Sequence, residues 1–190
     1  VTVTPPRSAG ADTTEVSEAG TTDTIQVVLG AEPASDVVFS VTVDDPGEVS
    51  ANPTTLTFDP ATWNIARTVV LTGVDDLVLD GSDTSTVTVS VVPGSSDDPF
   101  DGLPPATVSV TTLDDDVPAI SIVESGGNTV TTEAAGQDQF TVALAAQPAG
   151  DVVIDLASDD VSEVTISPTR LTFPSAQWNV PQTVTATGVD

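Results

Sequence analysis

Leu56-Thr57-Phe58-Asp59-Pro60-Ala61-Thr62-Trp63-Asn64 is a stretch that the chain uses twice. The second copy reads Leu171-Thr172-Phe173-Pro174-Ser175-Ala176-Gln177-Trp178-Asn179. Each copy is followed by a segment of alternating apolar and polar residues, which ends in Gly73-Val74-Asp75 in the first copy and in Gly188-Val189-Asp190 in the second. An apolar strand, a turn that carries Trp-Asn, a second strand and an acidic end therefore form one motif, and the rest of the chain is arranged around two copies of it.

The repeat is much longer than this motif. Residues 18–75 align without a gap on residues 133–190, and about half of the aligned positions are identical. A self-match of this length indicates an internal repeat, and its period of about 115 residues fits a whole sandwich domain better than one turn of a solenoid. We therefore predict two domains, one over residues 1–116 with an acidic linker at 114–116, and one over residues 117–190.

The strands of the first repeat are predicted from alternation of period two between clusters of turn residues. They lie near residues 1–4, 24–29, 37–43, 55–58, 67–72, 85–92 and 106–112. Alternate residues are apolar, as in Val87, Val89 and Val91, which is typical of half-buried antiparallel strands. About seven short strands, with no helical periodicity, predict an all-β Greek-key sandwich.

The second repeat is predicted to be incomplete. Its strands lie near residues 120–123, 139–144, 152–156, 170–173 and 183–187, and the last two strands of the first repeat have no counterpart before Asp190. Their absence would leave an open edge and an uncovered apolar face. Either the chain is a fragment of a longer array, which its start without Met or a signal-like segment favours, or another chain supplies the missing strands by β-augmentation.

The composition excludes several classes of function. The 190 residues carry 29 acids against three arginines and no lysine or histidine, a formal charge of −26, yet 38% of them are hydrophobic, as in a folded protein. So few cations exclude binding to nucleic acid and to anionic membranes, and no apolar run is long enough for membrane insertion. Without His, Cys, Tyr or Lys, only paired carboxylates of the glycosidase type remain for catalysis, and we predict that the chain is not an enzyme.

The acids are concentrated in a few places. They occur as Asp75-Asp76 with Asp80, as Asp97-Asp98 with Asp101, and as Asp114-Asp115-Asp116 in the predicted linker. Because the loops of a sandwich gather at its two ends, several carboxylates would meet there, and each close pair costs about 1 kcal/mol even in water. A hard cation removes this repulsion, and Ca²⁺, which accepts six to eight oxygen ligands in a tolerant geometry, fits better than Mg²⁺, Zn²⁺ or Cu²⁺.

Taken together, these motifs resemble a Calx-β repeat of the form found in large bacterial surface and secreted proteins. The resemblance is carried by Glu18-Ala19-Gly20, by the Leu-Thr-Phe to Gly-Val-Asp-Asp motif, by Asp80-Gly81, by Asp98-Pro99-Phe100-Asp101-Gly102 and by the terminal Asp114-Asp115-Asp116. It covers all of repeat one and the first two thirds of repeat two. It implies an immunoglobulin-like sandwich that binds calcium at one end, in an extracellular or cell-surface protein of bacteria.

The resemblance also implies the ligands. In repeat one they are Glu18, Asp75, Asp76, Asp80, Asp114, Asp115 and Asp116, with Glu48 as a further candidate. Repeat two retains Glu133, Glu163 and Asp190, which is an incomplete set. The alternative interpretation of all these acids is a solvating surface of the kind that proteins from saline settings carry.

The predicted function is that of an extender module in a repetitive adhesin or surface filament, stiffened by calcium between neighbouring repeats. Its partners would be neighbouring repeats of the same protein or further copies in a homopolymer, and the sequence does not indicate an adhesive target. One alternative is a fibre subunit that accepts strands into its incomplete second sandwich, and another is a calcium-sensing regulatory domain. Carbohydrate binding would require an exposed aromatic residue, whereas Trp63 and Trp178 are predicted to fill the cores.

Overall fold

The computed structural model describes residues 1–4, 14–96 and 98–190, and nearly all of its regular structure is β-strand. The chain divides into two compact units. Unit 1 comprises residues 1–76 and 81–115, and unit 2 comprises residues 77–80 and 116–190. This division places the boundary one residue before the predicted one and assigns a short segment of repeat one, Leu77–Asp80, to unit 2.

Unit 1 is a sandwich of two sheets. Its strands are β1 (Thr2–Thr4), β2 (Thr14–Ser17), β3 (Thr22–Val28), β4 (Val37–Val43), β5 (Val49–Asn52), β6 (Thr55–Phe58), β7 (Arg67–Gly73), β8 (Asp83–Val91) and β9 (Ala106–Leu113). One sheet has the order β1-β3-β7-β5 and the other the order β2-β9-β8-β4-β6. All pairs are antiparallel except β2 with β9, which is parallel. Strands β1 to β8 thus alternate between the two sheets, and β8 and β9 are neighbours in one sheet, as in an immunoglobulin-like Greek key.

Alternating residues of the two sheets of unit 1 face each other and form its core. Fifteen of the described apolar residues are buried there, and nine of them lie at alternate positions of β3, β4, β7 and β8. Two aromatic rings anchor the centre, since Phe39 and Phe58 lie edge to face with their centroids 5.9 Å apart. The guanidinium of Arg67 lies 5.6 Å from the centre of the Phe58 ring, so this cation covers the edge of the core.

Unit 2 repeats only part of this sandwich. Its strands are β10 (Ile120–Glu124), β11 (Gln137–Leu144), β12 (Val152–Asp155), β13 (Val164–Ser167), β14 (Arg170–Phe173) and β15 (Gln182–Gly188). The first sheet is complete, with the order β10-β11-β15-β13, whereas the facing sheet consists of β12 and β14 alone. The buried apolar core is correspondingly small: Val142, Leu144, Leu171, Phe173, Trp178 and Val184.

The predicted fold class is confirmed, and the second sandwich lacks counterparts of β8 and β9 within the described residues. The sequence did not predict three of the strands, β2, β5 and β13. Each has only four residues, and all three lie at sheet edges, so each offers only a short pattern to detect. Helix in the described ranges is limited to three-residue 3₁₀ turns, and no helix there is long and apolar enough to cross a bilayer.

Both tryptophans contribute to cores, as predicted. Trp178 is buried in the core of unit 2, and Trp63 is half-buried against the core of unit 1. Since the sequence contains two tryptophans, each unit has one intrinsic fluorophore of its own.

Candidate metal centre

Three carboxylates come together at the ends of three strands. Glu18 follows β2 directly, Asp76 lies three residues after β7, and Asp116 lies three residues after β9. Each offers a carboxylate oxygen, and these oxygens lie within 4.8 Å of one another. We call these three residues the acidic cluster. Glu18 is only 2% exposed, Asp116 is half-buried and Asp76 is exposed, so the cluster extends from the protein interior to solvent.

The convergence follows from the pairing of the strands. Because β2 and β9 run parallel, their carboxyl ends lie at the same edge of the sheet, and the N–H of Glu18 donates to the carbonyl of Leu113 at 3.0 Å. Strand β7 reaches the same end through β3, whose first residue, Thr22, pairs with Thr72. The three chain segments that carry the cluster are therefore fixed by backbone hydrogen bonds.

A glycine brings the Asp76 segment close to Glu18. A Cβ built on Gly73 would lie 2.0 Å from the carbonyl oxygen of Ser17, which no side chain can tolerate. The N–H of Gly73 donates to the carbonyl of Thr21 at 3.1 Å, which holds β7 against the turn after β2. Gly188 makes an equivalent approach in unit 2, where a Cβ built on it would lie 2.1 Å from the carbonyl oxygen of Thr132. The two glycines occupy equivalent positions of the repeat, but the sequence did not predict that they allow this close approach.

Glu48 lies at the same end of unit 1 and supports it through the backbone. It is 8% exposed, and its carbonyl accepts the N–H of Val74 at 2.9 Å and the hydroxyl of Thr112 at 3.5 Å. These bonds tie the start of β5 to the segment after β7 and to the end of β9. The structure places its carboxylate outside the acidic cluster.

The other predicted ligands lie elsewhere. Asp75, Asp80 and Asp115 are exposed and lie outside the acidic cluster. The Oδ2 of Asp114 accepts the N–H of Gly81 at 2.8 Å, so this carboxylate fixes the loop that precedes β8. The acidic cluster therefore consists of three of the residues named from the sequence, and the other named residues lie outside it.

Unit 2 keeps the hydrogen-bond scaffold of this end, but its described acids do not gather there. The N–H of Val189 donates to the carbonyl of Glu163 at 2.9 Å, as Val74 does to Glu48 in unit 1. Glu133, the counterpart of Glu18, is exposed rather than buried, and Asp190 is exposed as well. Among the described residues, no group of three acids forms around them.

Electrostatics sets the chemistry of the acidic cluster. Two carboxylates less than 5 Å apart repel by about 1 kcal/mol in water, and by several times more where the effective dielectric constant is lower, as around Glu18. A cation relieves this repulsion. The donor set consists of hard carboxylate oxygens, which suit Ca²⁺, whereas the chain has no imidazole or thiolate to select zinc or copper.

The comparisons with known proteins add little to this picture. No family model matches the chain, and no curated protein matches it. Similar solved structures include CBD12 from CALX1.2, which is 15% identical with a TM-score of 0.40 and covers 93% of this chain and 73% of that chain. The calcium binding domain CBD12 of CALX1.1 is 14% identical, with a TM-score of 0.38 and the same coverage. The E. coli chaperone DraB is 10% identical, with a TM-score of 0.40, and covers 95% of this chain and 85% of that one. At these values the likeness assigns no function to this chain.

Proposed function

We propose that the chain binds calcium at the acidic cluster and serves as an extender module of a bacterial surface or secreted protein. The observation that carries the proposal is the gathering of Glu18, Asp76 and Asp116 within 4.8 Å, with the first of them buried. A cation bound there would stabilise the three carboxylates, because it would remove their mutual repulsion, which is strongest around the buried Glu18. The proposal assigns no catalytic activity to the chain.

The residues fit calcium better than other common ions. Three carboxylates supply a share of the six to eight oxygens that Ca²⁺ takes, and backbone carbonyls and water can complete such a shell. Mg²⁺ demands a near-ideal octahedron and gives up its water reluctantly, so a cluster built from three separate loops suits it poorly.

Bound calcium would act by neutralising charge. The ion would connect the turn after β2 with the segments that follow β7 and β9, and residues 114–116, the predicted linker, would lose freedom. We propose that repeats joined in this way form a stiff rod outside the cell, with neighbouring repeats or further copies as partners. Extracellular sites of this type function with dissociation constants around 10⁻⁴–10⁻³ M.

Thermal unfolding of the full chain in chelator and in a calcium series tests this proposal. At a hundredfold excess over its dissociation constant, the ion adds about 2.7 kcal/mol to stability. We expect the transition reported by Trp63 to rise with calcium and to rise much less with magnesium or sodium chloride at matched ionic strength. Glu18→Gln removes a charged ligand of nearly the same shape, and Glu133→Gln is the matched control at the equivalent position of unit 2.

The outcome separates the two interpretations of the acids. If calcium acts on the wild type and on Glu133→Gln but not on Glu18→Gln, the cluster is the site. If all salts raise the midpoint alike and Glu18→Gln responds as the wild type does, the acids form a solvating surface, and the calcium proposal is wrong.

A second candidate function is favoured by the open side of unit 2. Large apolar side chains are exposed there, among them Ile120 at 54% and Ile122 at 61%, whereas the β-sandwich of unit 1 covers its core with five strands. Exposed strand edges and apolar faces are sites at which another β-strand can be added. We propose that unit 2 accepts strands from another segment, which would join modules into a fibre without covalent bonds.

A further inference from the structure

One edge of β12 has no partner among the described residues. In unit 1 the equivalent strand, β4, is paired on both sides, with β6 on one edge and β8 on the other. In unit 2 the only strand that pairs with β12 in the described ranges is β14, the counterpart of β6. The edge of β12 that corresponds to the β8 side therefore presents backbone N–H and C=O groups without a β-ladder.

The missing partner also shortens the strand. Strand β4 has seven residues, of which the first four pair with β6 and the last three, Val41–Val43, pair with β8 alone. Strand β12 has only four residues, and it ends at Asp155. The counterparts of Val41–Val43 are residues 156–158, which lie outside any strand. In unit 1 the ladder with β8 extends β4 over the equivalent three residues, so residues 156–158 are the segment that a β8-like partner would bring into β12.

The apolar side chains of this region are uncovered as a consequence. Phe39 and Val41 are 1% and 3% exposed in unit 1, whereas their counterparts Ile154 and Leu156 are only half-buried. Two apolar cavities open in unit 2, one of ≈430 Å³ beside Val152 and one of ≈280 Å³ beside Leu156. The larger is lined by Leu79, Pro118, Ala119, Ile120, Leu144, Ala146, Pro148 and Val152, and the smaller includes Leu156 and Ile166.

We propose that this side of unit 2 binds a pair of β-strands with the sequence pattern of β8 and β9. The proposal rests on the second candidate function and names the partner that this function requires. The first strand would run antiparallel to β12 in the register that β8 keeps with β4, where Phe39 faces Val91 and Val41 faces Val89. Ile154 and Leu156 would then face the partner residues equivalent to Val91 and Val89. Residues 156–158 would join the ladder, so β12 would reach the length of β4.

The chemistry of the partner follows from unit 1. Between Thr84 and Val91, and between Ala106 and Thr112, the two strands contain no charged residue, and valines alternate with Thr and Ser. An uncharged pair of strands approaches a chain of charge −26 without repulsion, and its valines fill the apolar cavities. The partner is therefore a threonine- and valine-rich strand pair.

A second copy of this chain is a poorer partner. Its own β8 is already paired with β4 and β9, and its β9 with β8 and β2, so that copy would have to open unit 1 to donate them. Such opening would expose its buried valines and lose the favourable free energy of their burial. We therefore assign the surface to a strand pair that is not already part of a closed sandwich.

Hydrogen exchange of the full chain with an added peptide of residues 83–113 tests this proposal. Bound peptide should slow amide exchange at residues 154–158 by at least tenfold, in chelator as well as in calcium, because the acidic cluster takes no part. A peptide with Val87, Val89 and Val91 replaced by Ser is the control, since it keeps the backbone and loses the apolar face. Leu156→Asp in the chain should abolish protection, whereas Val153→Asp, on the opposite face of β12, should retain it.

A fusion protein that carries the two strands on the same chain tests the proposal without depending on the solubility of a peptide. Because Asp190 matches Asp75, residues 76–113 can be fused directly after Asp190 of the full chain. We expect the Trp178 transition of the fusion to rise and residues 156–158 to become protected. The proposal is overturned if neither the peptide nor the fusion protects these amides, or if the Ser-substituted peptide protects them equally. It is also overturned if protection appears without peptide in a concentration-dependent dimer, which would make a second copy the partner.

Discussion

Unit 1 and unit 2 share one sheet and differ in the other. The sheet β1-β3-β7-β5 has a complete counterpart in β10-β11-β15-β13, with the same order and the same antiparallel pairing. The facing sheet has five strands in unit 1 and two in unit 2, and the buried apolar core shrinks from fifteen of the described residues to six. The aligned repeat, residues 18–75, contains β3 to β7, and β2, β8 and β9 complete the larger sheet of unit 1.

The two units differ in the same way at their acidic ends. Both keep the glycine that approaches the neighbouring backbone and the hydrogen bond from Val74 or Val189. Only unit 1 has a strand β9, and Asp116 follows it. The absence of a described counterpart of β9 in unit 2 thus accounts for both the open core and the lack of a three-acid cluster.

The largest expected effects come from matched truncations of the core. Phe58→Ala and Phe173→Ala each remove a fully buried ring at the same place in the repeat, and each should cost about 3–5 kcal/mol of unfolding free energy. Phe58→Ala should shift the transition reported by Trp63, and Phe173→Ala the one reported by Trp178. Fluorescence-monitored urea unfolding of single-tryptophan variants measures both.

The wild-type transitions sharpen this comparison. Since unit 2 buries far less apolar surface, the Trp178 transition should occur at lower urea concentration than the Trp63 transition. If the two transitions coincide in the wild type and in both Phe variants, the units unfold as one, and the smaller core of unit 2 does not determine its stability.

The matched glycines give an intermediate effect. A Cβ at Gly73 or Gly188 overlaps the opposite backbone, and such overpacking costs about 1–3 kcal/mol. Gly73→Ala should also weaken the response to calcium, because it moves the Asp76 segment away from Glu18, whereas Gly188→Ala should leave that response unchanged. Calcium titrations of both variants measure this response. An unchanged response in Gly73→Ala would show that Gly73 does not position the acidic cluster.

The smallest expected effect is the contribution of one carboxylate, that of Asp44, to the pH dependence of unit 1. The Oδ1 of Asp44 accepts the N–H of Thr86 in β8 at 2.6 Å, and this bond is the main reason why the pKa of Asp44 is lowered from its usual 3.8. A lowered pKa in the folded state stabilises the fold above about pH 4, and this contribution is lost as pH falls through the lowered value. Asp44→Ala should therefore lower the Trp63 midpoint at pH 7 by less than the glycine substitution does.

The unfolding midpoint of the same variant should approach that of the wild type as pH falls below the lowered pKa of Asp44, because its carboxylate is then protonated in both the folded and the unfolded state. Asp159, its counterpart, lies in the unit that lacks a described β8 equivalent, so Asp159→Ala is the matched control and should leave the Trp178 midpoint unchanged. Equal effects of the two substitutions at pH 7 would contradict the role assigned to β8.

The sequence was sufficient to predict the sandwich because alternating valines and repeated turn residues leave few other folds open. It missed β2, and with it the parallel pairing to β9 that places Glu18 beside Leu113. That pairing depends on contacts almost 100 residues apart, which local alternation does not encode. For the same reason, the acids near the strand ends were predictable as a group, whereas the distinction between Asp76 and Asp75, or between Asp116 and Asp115, required the direction of each chain segment.

The most direct test of the calcium site is a crystal structure of the full chain grown in millimolar calcium, with anomalous scattering data to locate the ion. We predict an anomalous peak at the acidic cluster, about 2.3–2.6 Å from carboxylate oxygens of Glu18, Asp76 and Asp116. No such peak is expected beside Glu133. A cluster without an anomalous peak under these conditions, or a calcium ion held only by acids outside it, would contradict the proposed site.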